Sequence, residues 1–183
     1  MGLKSFAVET VVASTAYILA FFLTFGALMP VQQLFFADFY SSASLLFLPH
    51  GVRVLSAWFL GWRSVFALLP GVFFTYVYLG GSNVFLPSRM AGIAIAVLTA
   101  PLVFELIARF WRDLRPAPGV EPCWPCVMGA GILSAIIGGI LTNMAFGSPP
   151  LDYFAFFIGD VAGLFFLMLI LMLIFRHLRI KSQ

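Results

Sequence analysis

His50, Arg53 and Asp160 place an imidazole, a guanidinium and a carboxylate inside stretches that are otherwise almost wholly apolar. Brought together, they could form an ion pair, an acid–base couple or the polar floor of a site for an anion. His50 and Arg53 are three residues apart, which puts them on one face of a helix. Pro49 removes a backbone donor in the middle of the run LLFLPHGVRVLSAWFLGWR, Leu45 to Arg63, and reads as the first residue of a new half-helix. The free amides of that half-helix would add positive potential beside the histidine and arginine, so a carboxylate or other anion is the expected ligand. Asp160 lies in Gly159-Asp160-Val161-Ala162-Gly163. Close packing accounts for the two glycines but not for an aspartate between them, since a neutral residue would pack there at lower cost. Asn143 offers an amide from the end of another apolar run. Two readings stand: a structural Arg53–Asp160 pair that pins two helices, or a polar pocket formed by His50, Arg53, Asn143 and Asp160.

Other reactive residues point to blander roles. Glu105 and Arg109 are four apart in the favourable order for a helical ion pair, and a structural staple is expected. Cys123-Trp124-Pro125-Cys126 has the spacing of a redox pair or half a zinc site, but no second ligand pair lies nearby and no βαβ pattern surrounds it. A structural disulfide is not expected there, because the charge pattern below places the pair on a reducing side. His177 sits in a basic tail and reads as a solvated interfacial residue. Nothing resembles a Ser-His-Asp set, a P-loop, an H-E-x-x-H zinc helix or a dinucleotide-binding loop, so no catalytic residue, metal or cofactor is expected.

The elements that must position these residues follow from composition. The chain has 183 residues, 62% of them hydrophobic and only 9% charged. Its mean hydropathy of +1.07 lies outside the range of soluble domains. The apolar runs are long and do not alternate, which excludes a barrel and leaves a single all-α integral membrane domain over residues 1–183. No polar stretch exceeds about fifteen residues, so no soluble catalytic module fits within the chain. The net charge of +3 reflects flanking basic residues and gives no reason to expect nucleic acid.

Six spans are predicted: about Thr10–Met29, Ser44–Leu60, Ser64–Leu79, Arg89–Phe110, Pro125–Phe146 and Tyr153–Phe175. The second is broken at Pro49 and the third at Pro70-Gly71, a pointer to a cavity. Between the first two, Gln32 to Ser42 forms a semi-polar loop with Asp38, and Pro149-Pro150 makes a turn before the last. Ala16 and Ala20 on the first span, and Gly92, Ala96 and Ala100 on the fourth, form small-residue faces. Gly131, Ala135 and Gly139 do the same on the fifth, which should therefore occupy the centre of the bundle. The 22 phenylalanines read as lipid-facing bulk. With both termini cytoplasmic, Lys4, Arg63, Arg109, Arg112, Arg115, Arg176, Arg179 and Lys181 all lie inside and Arg89 alone outside, which satisfies the positive-inside rule. Asp160 then lies roughly 10 Å below the outer surface at 1.5 Å per residue.

The blocks Pro49-His50-Gly51, Gly61-Trp62-Arg63, Pro70-Gly71 and Gly159–Gly163 resemble the type-one membrane-associated sensor (MASE) domain of bacteria, with its P-x-G, G-x-R and G-D-x-x-G motifs. The likeness covers roughly residues 45–75 and 153–170. It implies a multi-span sensory domain of the bacterial inner membrane, with Pro49, Gly51, Gly61, Arg63, Gly159 and Gly163 as its structural motif. Such domains are usually fused to a kinase, cyclase or phosphodiesterase module; none follows here, so a membrane or cytoplasmic signalling protein is the implied partner. The chain is also similar to the substrate-binding S component of an energy-coupling-factor transporter in size, span number and the Ala16/Ala20 pair used for docking. A structural subunit of a membrane complex and an enzyme using His50 and Asp160 as acid and base are the remaining alternatives.

Overall fold

The computed structural model describes residues 3–35, 44–117, 119, 121–147 and 150–181. The chain is an all-α bundle. Helix α1 (Leu3–Leu23) runs through a π-helical turn, Thr24–Leu28, into α2 (Met29–Phe35). It is followed by α3 (Leu48–Leu60), α4 (Arg63–Gly80), a 3-10 turn at Gly81–Phe85, α5 (Pro87–Phe110), α6 (Trp124–Phe146) and α7 (Pro150–Lys181). Asp38, most of the Gln32–Ser42 loop, and Pro149 lie outside the described residues.

Among the described residues, five helical stretches are long and apolar enough to cross a membrane: Lys4–Phe35, Arg63–Phe85, Pro87–Phe110, Trp124–Phe146 and Tyr153–Ile174. The expected second span is different. Its helical part, α3, has 13 residues, about 20 Å at 1.5 Å per residue, against a hydrocarbon core of about 30 Å. Residues 44–47 before it are not helical. Pro49 stands in the first turn of α3, where its missing N–H costs nothing, and it cannot donate to Leu45, so the helix does not extend upstream.

The short helix holds the centre, a place the small-residue pattern assigns to α6. Nine of its thirteen residues are buried, and it contacts α1, α4, α5, α6 and α7. Leu48 and Val52 face a cluster with Ala13, Tyr17, Leu68, Val72 and Ala96. Val54, Ala57 and Trp58 face a second with Val103, Phe104, Val127 and Leu164. The apolar moment that the sequence spreads over long spans is thus resolved by one helix with two packed faces. α6, by contrast, leaves Leu133, Ile136, Ile140 and Met144 exposed along one side, where lipid supplies the contacts.

Two turns and one crossing set the frame. Gly61 caps α3 at φ +56°, a left-handed conformation that only glycine adopts freely, and its N–H donates to the Ala57 carbonyl at 2.9 Å. Arg63, two residues on, pairs through Nη2 with Glu9 Oε2 at 2.9 Å and lies over the Phe6 ring, tying the start of α4 to the start of α1. Pro70-Gly71 interrupts the ladder of α4 without ending the helix. Ser14 Oγ of α1 inserts there, accepting from the Gly71 N–H at 3.1 Å and donating to the Ala67 carbonyl at 2.7 Å. A Cβ on Gly71 would meet the Ser14 backbone at 2.8 Å, so the closest approach of α1 to α4 falls here. Of the Ala16/Ala20 pair, Ala20 is buried and Ala16 is exposed. Gly92, Ala96 and Ala100 are all buried, as their shared face requires.

Glu105 pairs with Arg115 Nη1 at 3.5 Å and not with Arg109, which is exposed. The loop after α5 folds back far enough to offer a better-placed cation than the helix does. Arg115 also donates through Nε to both Asp113 oxygens, at 2.8 and 3.0 Å. That hydrogen bond holds the Asp113 carboxyl below the usual carboxylate range. Trp58 Nε1 donates to the Leu114 carbonyl at 2.6 Å, fastening the same loop to α3.

Candidate polar site at the broken helix

The site begins with backbone that is not helical. Residues 44–47 lie against α7, and every amide there that lacks a helical partner needs one from elsewhere. Phe47 N–H donates to the Gly159 carbonyl at 2.8 Å, Leu48 N–H to Thr24 Oγ1 at 3.3 Å, and Leu45 N–H to Gln32 Oε1 at 2.7 Å. Thr24 is fully buried at the start of the π-helical turn. That turn therefore coincides with the point where the unwound segment requires an acceptor, a known association of such bulges with special sites.

Gly159 and Gly163 make room for this crossing. A Cβ on Gly159 would run into the Ser44 carbonyl oxygen, and one on Gly163 into the Phe47 carbonyl, with Leu48 N at 2.8 Å. Gly51 answers from the other side, where a Cβ would meet Leu164 Cα at 3.1 Å and the Gly163 carbonyl at 3.2 Å. The P-x-G and G-D-x-x-G blocks, more than a hundred residues apart in sequence, are two halves of one contact between the start of α3 and the first third of α7.

With the glycines occupied by backbone, Asp160 turns to the first turn of α3. Its Oδ2 lies 3.3 Å from His50 Nδ1 and its Oδ1 3.7 Å from Arg53 Nη2. Arg53 Nη2 is also 3.2 Å from His50 Nδ1, and His50 Nε2 is 3.2 Å from the Gly131 carbonyl of α6. With Nε2–H donating to Gly131, Nδ1 is left facing both the guanidinium and the carboxylate. A Cβ on Gly131 would collide with the Leu164 side chain, so the glycine is what lets α7 close over the histidine's acceptor. His50 and Asp160 side chains are 3% and 7% exposed and Arg53 15%, which makes this a buried charge cluster with one partly open member. The Arg53 Nε is buried without a hydrogen-bond partner, and its guanidinium lies 5.7 Å from the centre of the Phe47 ring.

Arg53 and Asp160 form the floor of a cavity of about 220 Å³. Tyr17, Phe21 and Phe25 line it from the α1 side, Thr75 and Tyr76 from α4, Thr142 and Phe146 from α6, and Phe156 from α7. Arg89, at the start of α5, is a second cation on its wall. The formal charges lining it are thus two guanidiniums and one carboxylate. The cavity lies at the ends of α1, α4 and α6 away from Lys4, Arg63 and Trp124, so it opens towards the end of the bundle that carries Arg89.

Of the four residues expected to form the site, three meet. Asn143 does not join them: it is fully buried, its Nδ2 donates to the Gly139 carbonyl one turn back at 2.8 Å, and it does not line the cavity. Thr142, one position earlier and about 100° around the helix, takes that place. Tyr17, Thr75 and Tyr76 also line the cavity, hydroxyl-bearing residues on otherwise apolar faces that no motif sets apart in the sequence. Among the described residues no group of three His, Cys, Asp or Glu side chains comes together that could hold a metal. Cys123 and Cys126 are joined by a disulfide, which the expected reducing side gave no reason to anticipate. Their adjacency at the start of α6, with Cys123 as its N-cap, brings the two sulfurs together whatever the surroundings.

No family model matches the chain, and no curated protein or solved structure is significantly similar to it.

Proposed function

We propose that this is a sensor-like membrane protein that binds a small anionic ligand with an apolar body in the cavity above Arg53 and Asp160. Its occupancy would be passed to a membrane or cytoplasmic signalling partner. The observation that carries the reading is the charge cluster itself: a buried Arg53–Asp160–His50 set that is not sealed off, but forms the floor of an aromatic-walled cavity with an excess of one cation. The half-helix N-terminus at Pro49 reinforces that positive potential. Intramembrane charge is costly and marks function by default.

The orientation that goes with this reading has both termini in the cytoplasm of a bacterium and the cavity facing outward across its inner membrane. Its support is the basic residues at one end of the bundle and Arg89 alone at the other. The reading is one of binding and not catalysis. His50 turns Nε2 to the Gly131 carbonyl and Nδ1 to the Arg53 guanidinium, and it does not line the cavity, so neither nitrogen is presented to a bound ligand.

A second reading, a transport subunit that docks on a coupling partner, draws support from Ala16. It is exposed in an apolar groove between α1, α3 and α7 that also takes in Val12, Val52, Phe59 and Leu171. Thermal unfolding of the purified protein against a panel of small aromatic and aliphatic monocarboxylates tests the first reading. A ligand at 100 times its Kd stabilises by about 2.7 kcal/mol, and Arg53→Met should abolish the shift while the protein stays folded. Absence of any shift across anions, together with co-purification of an ATPase and a coupling subunit from native membranes, would replace the sensor reading with the transport one.

A further inference from the structure

The Cys123–Cys126 disulfide lies outside the cavity, at the opposite end of the bundle, and its surroundings are built for chemistry more than for stapling. A cross-link between residues three apart closes one of the shortest loops available and removes little entropy from the unfolded chain. What surrounds it favours negative charge on sulfur. Cys123 is the N-cap of the 23-residue helix α6 and Cys126 lies in its first turn, which carries no acidic residue. Arg112 reaches across from the preceding loop and donates through Nη2 to Cys126 Sγ at 2.8 Å. Both cysteines are half-buried, neither sealed in the core nor lost in the loop. A cation and a helix N-terminus acting on one sulfur are the two recognised means of stabilising a thiolate.

We propose that Cys123 and Cys126 form a redox-active pair that exchanges with an external dithiol, either a small molecule or a protein of thioredoxin-like chemistry. Reduction begins when a donor thiolate attacks Cys123 Sγ. The disulfide breaks, and Cys126 departs with the electron pair as a thiolate held by Arg112. The donor's second thiolate then attacks its own sulfur in the mixed disulfide and releases Cys123. The donor ends as a disulfide and the pair reduced; of the donor's two protons one goes to Cys123 and the other to Cys126, or to solvent where Cys126 stays a thiolate. In the orientation proposed above, the pair faces the cytoplasm, where persisting disulfides are catalytic or redox-sensing and seldom structural. Trp124, between the two cysteines, packs on Trp58 of α3 with ring centres 5.4 Å apart. The redox state is therefore attached to the helix that carries His50 and Arg53.

The test uses the full chain in nanodiscs, equilibrated in buffers of varied dithiothreitol oxidation state, with free thiols counted by maleimide mass tagging after acid quench. The expected result is one reversible step in which both thiols appear together, accompanied by a change in tryptophan emission. In reduced Cys123→Ser, alkylation of Cys126 should have a pH midpoint below the value of about 8.5 for a free cysteine. Arg112→Gln should raise that midpoint and slow reduction of the otherwise native pair, while Arg112→Lys restores both. A one-unit rise in leaving-group pKa with a Brønsted slope near 0.5 corresponds to a slowing on the order of threefold. A pair that resists millimolar dithiol until the protein unfolds is a structural staple, and that result overturns the proposal. So does oxidation that yields only mixed disulfides, or an Arg112→Gln variant that alters neither rate nor midpoint.

Discussion

Gly163→Ala puts the crossing of α3 and α7 to its most direct test. The added methyl would collide with the carbonyl carbon and oxygen of Phe47 and approach Leu48 N at 2.8 Å, all three of them backbone atoms. A side chain could rotate away; a peptide unit whose neighbour Phe47 N–H is bonded to the Gly159 carbonyl cannot do so without breaking that bond. Overpacking of this kind costs about 1–3 kcal/mol, and a lost or stretched hydrogen bond adds about 0.5–1.5 kcal/mol. The sum is a destabilisation of roughly 1.5–4.5 kcal/mol. Gly139→Ala is the control, since a Cβ there meets nothing within 4 Å although the residue is buried on the small-residue face of α6. It should be neutral or stabilising by up to about 1 kcal/mol, the helix propensity difference between the two residues. Reversible unfolding by SDS in mixed micelles, followed by tryptophan fluorescence, measures both variants. If Gly163→Ala unfolds within about 0.5 kcal/mol of the native protein, or Gly139→Ala is the more damaging of the two, the crossing does not constrain the backbone as described.

Asp160→Asn keeps the shape of the side chain and leaves Arg53 without its carboxylate. Breaking a buried pair costs about 3–5 kcal/mol, and the lower end is expected because Arg53 retains 15% exposure. Adding Arg53→Met should recover part of the loss, and a double-mutant cycle with no coupling would refute the pairing. Thr142→Cys should react with a membrane-impermeant maleimide from the same side as Arg89→Cys, while Asn143→Cys stays unreactive until the protein is denatured; labelling of position 143 in the folded protein would overturn its exclusion from the cavity. Arg115 holds Asp113 below the normal carboxylate range. Its contribution to stability is therefore complete above the unfolded carboxylate pKa and is lost as pH falls through the folded value. Because the pair is exposed, the contribution is a few tenths of a kcal/mol, and Asp113→Asn should remove that acid-dependent component from unfolding curves measured between about pH 5 and pH 2.

The parts of this structure that could be read from sequence are those set by short-range rules. The bundle class follows from hydropathy, the start of α3 from what proline cannot do, and the turn at Gly61 from what only glycine can. Convergence of His50, Arg53 and Asp160 was legible because intramembrane charge must be paired, and few candidates exist. What could not be read depends on how far the chain folds back. Glu105 has a cation at the right helical spacing in Arg109, but the loop delivers Arg115 instead. Asn143 and Thr142 are equally polar neighbours, and only the rotation of α6 decides which one faces the cavity. The central place of α3 was hidden because small residues mark close approach, and in α6 they serve a one-sided contact. Arg89 is the residue a sharper reading could have caught: a basic group at the end of the bundle opposite the flanking cations, and so on the same side as Arg53 and Asp160.

A pair of charges that serves structure alone would be expected to saturate its hydrogen bonds and stay closed off from other space. The cluster here does neither. Asp160 faces Arg53 through Oδ1 at 3.7 Å, and its Oδ2 lies 3.3 Å from a His50 Nδ1 that has no proton to give it; the Arg53 Nε remains buried and unbonded, and both Arg53 and Asp160 reach the cavity. Hydrophobic residues of similar volume often hold two helices together at no greater cost, and the proposed ligand gives these charges a use that packing does not. On the sensor reading, an anion entering above Arg53 competes with Asp160 for the guanidinium. Asp160 is attached to α7 one residue from the glycine that accepts the Phe47 N–H, and Arg53 is one turn into α3. A ligand that loosens their pairing therefore acts on the contact where the two helices are least free to adjust. Binding energy spent there would shift α3 as a unit against its neighbours, which is the displacement a partner at the far end of the helix, near Trp58 and Trp124, would be placed to detect.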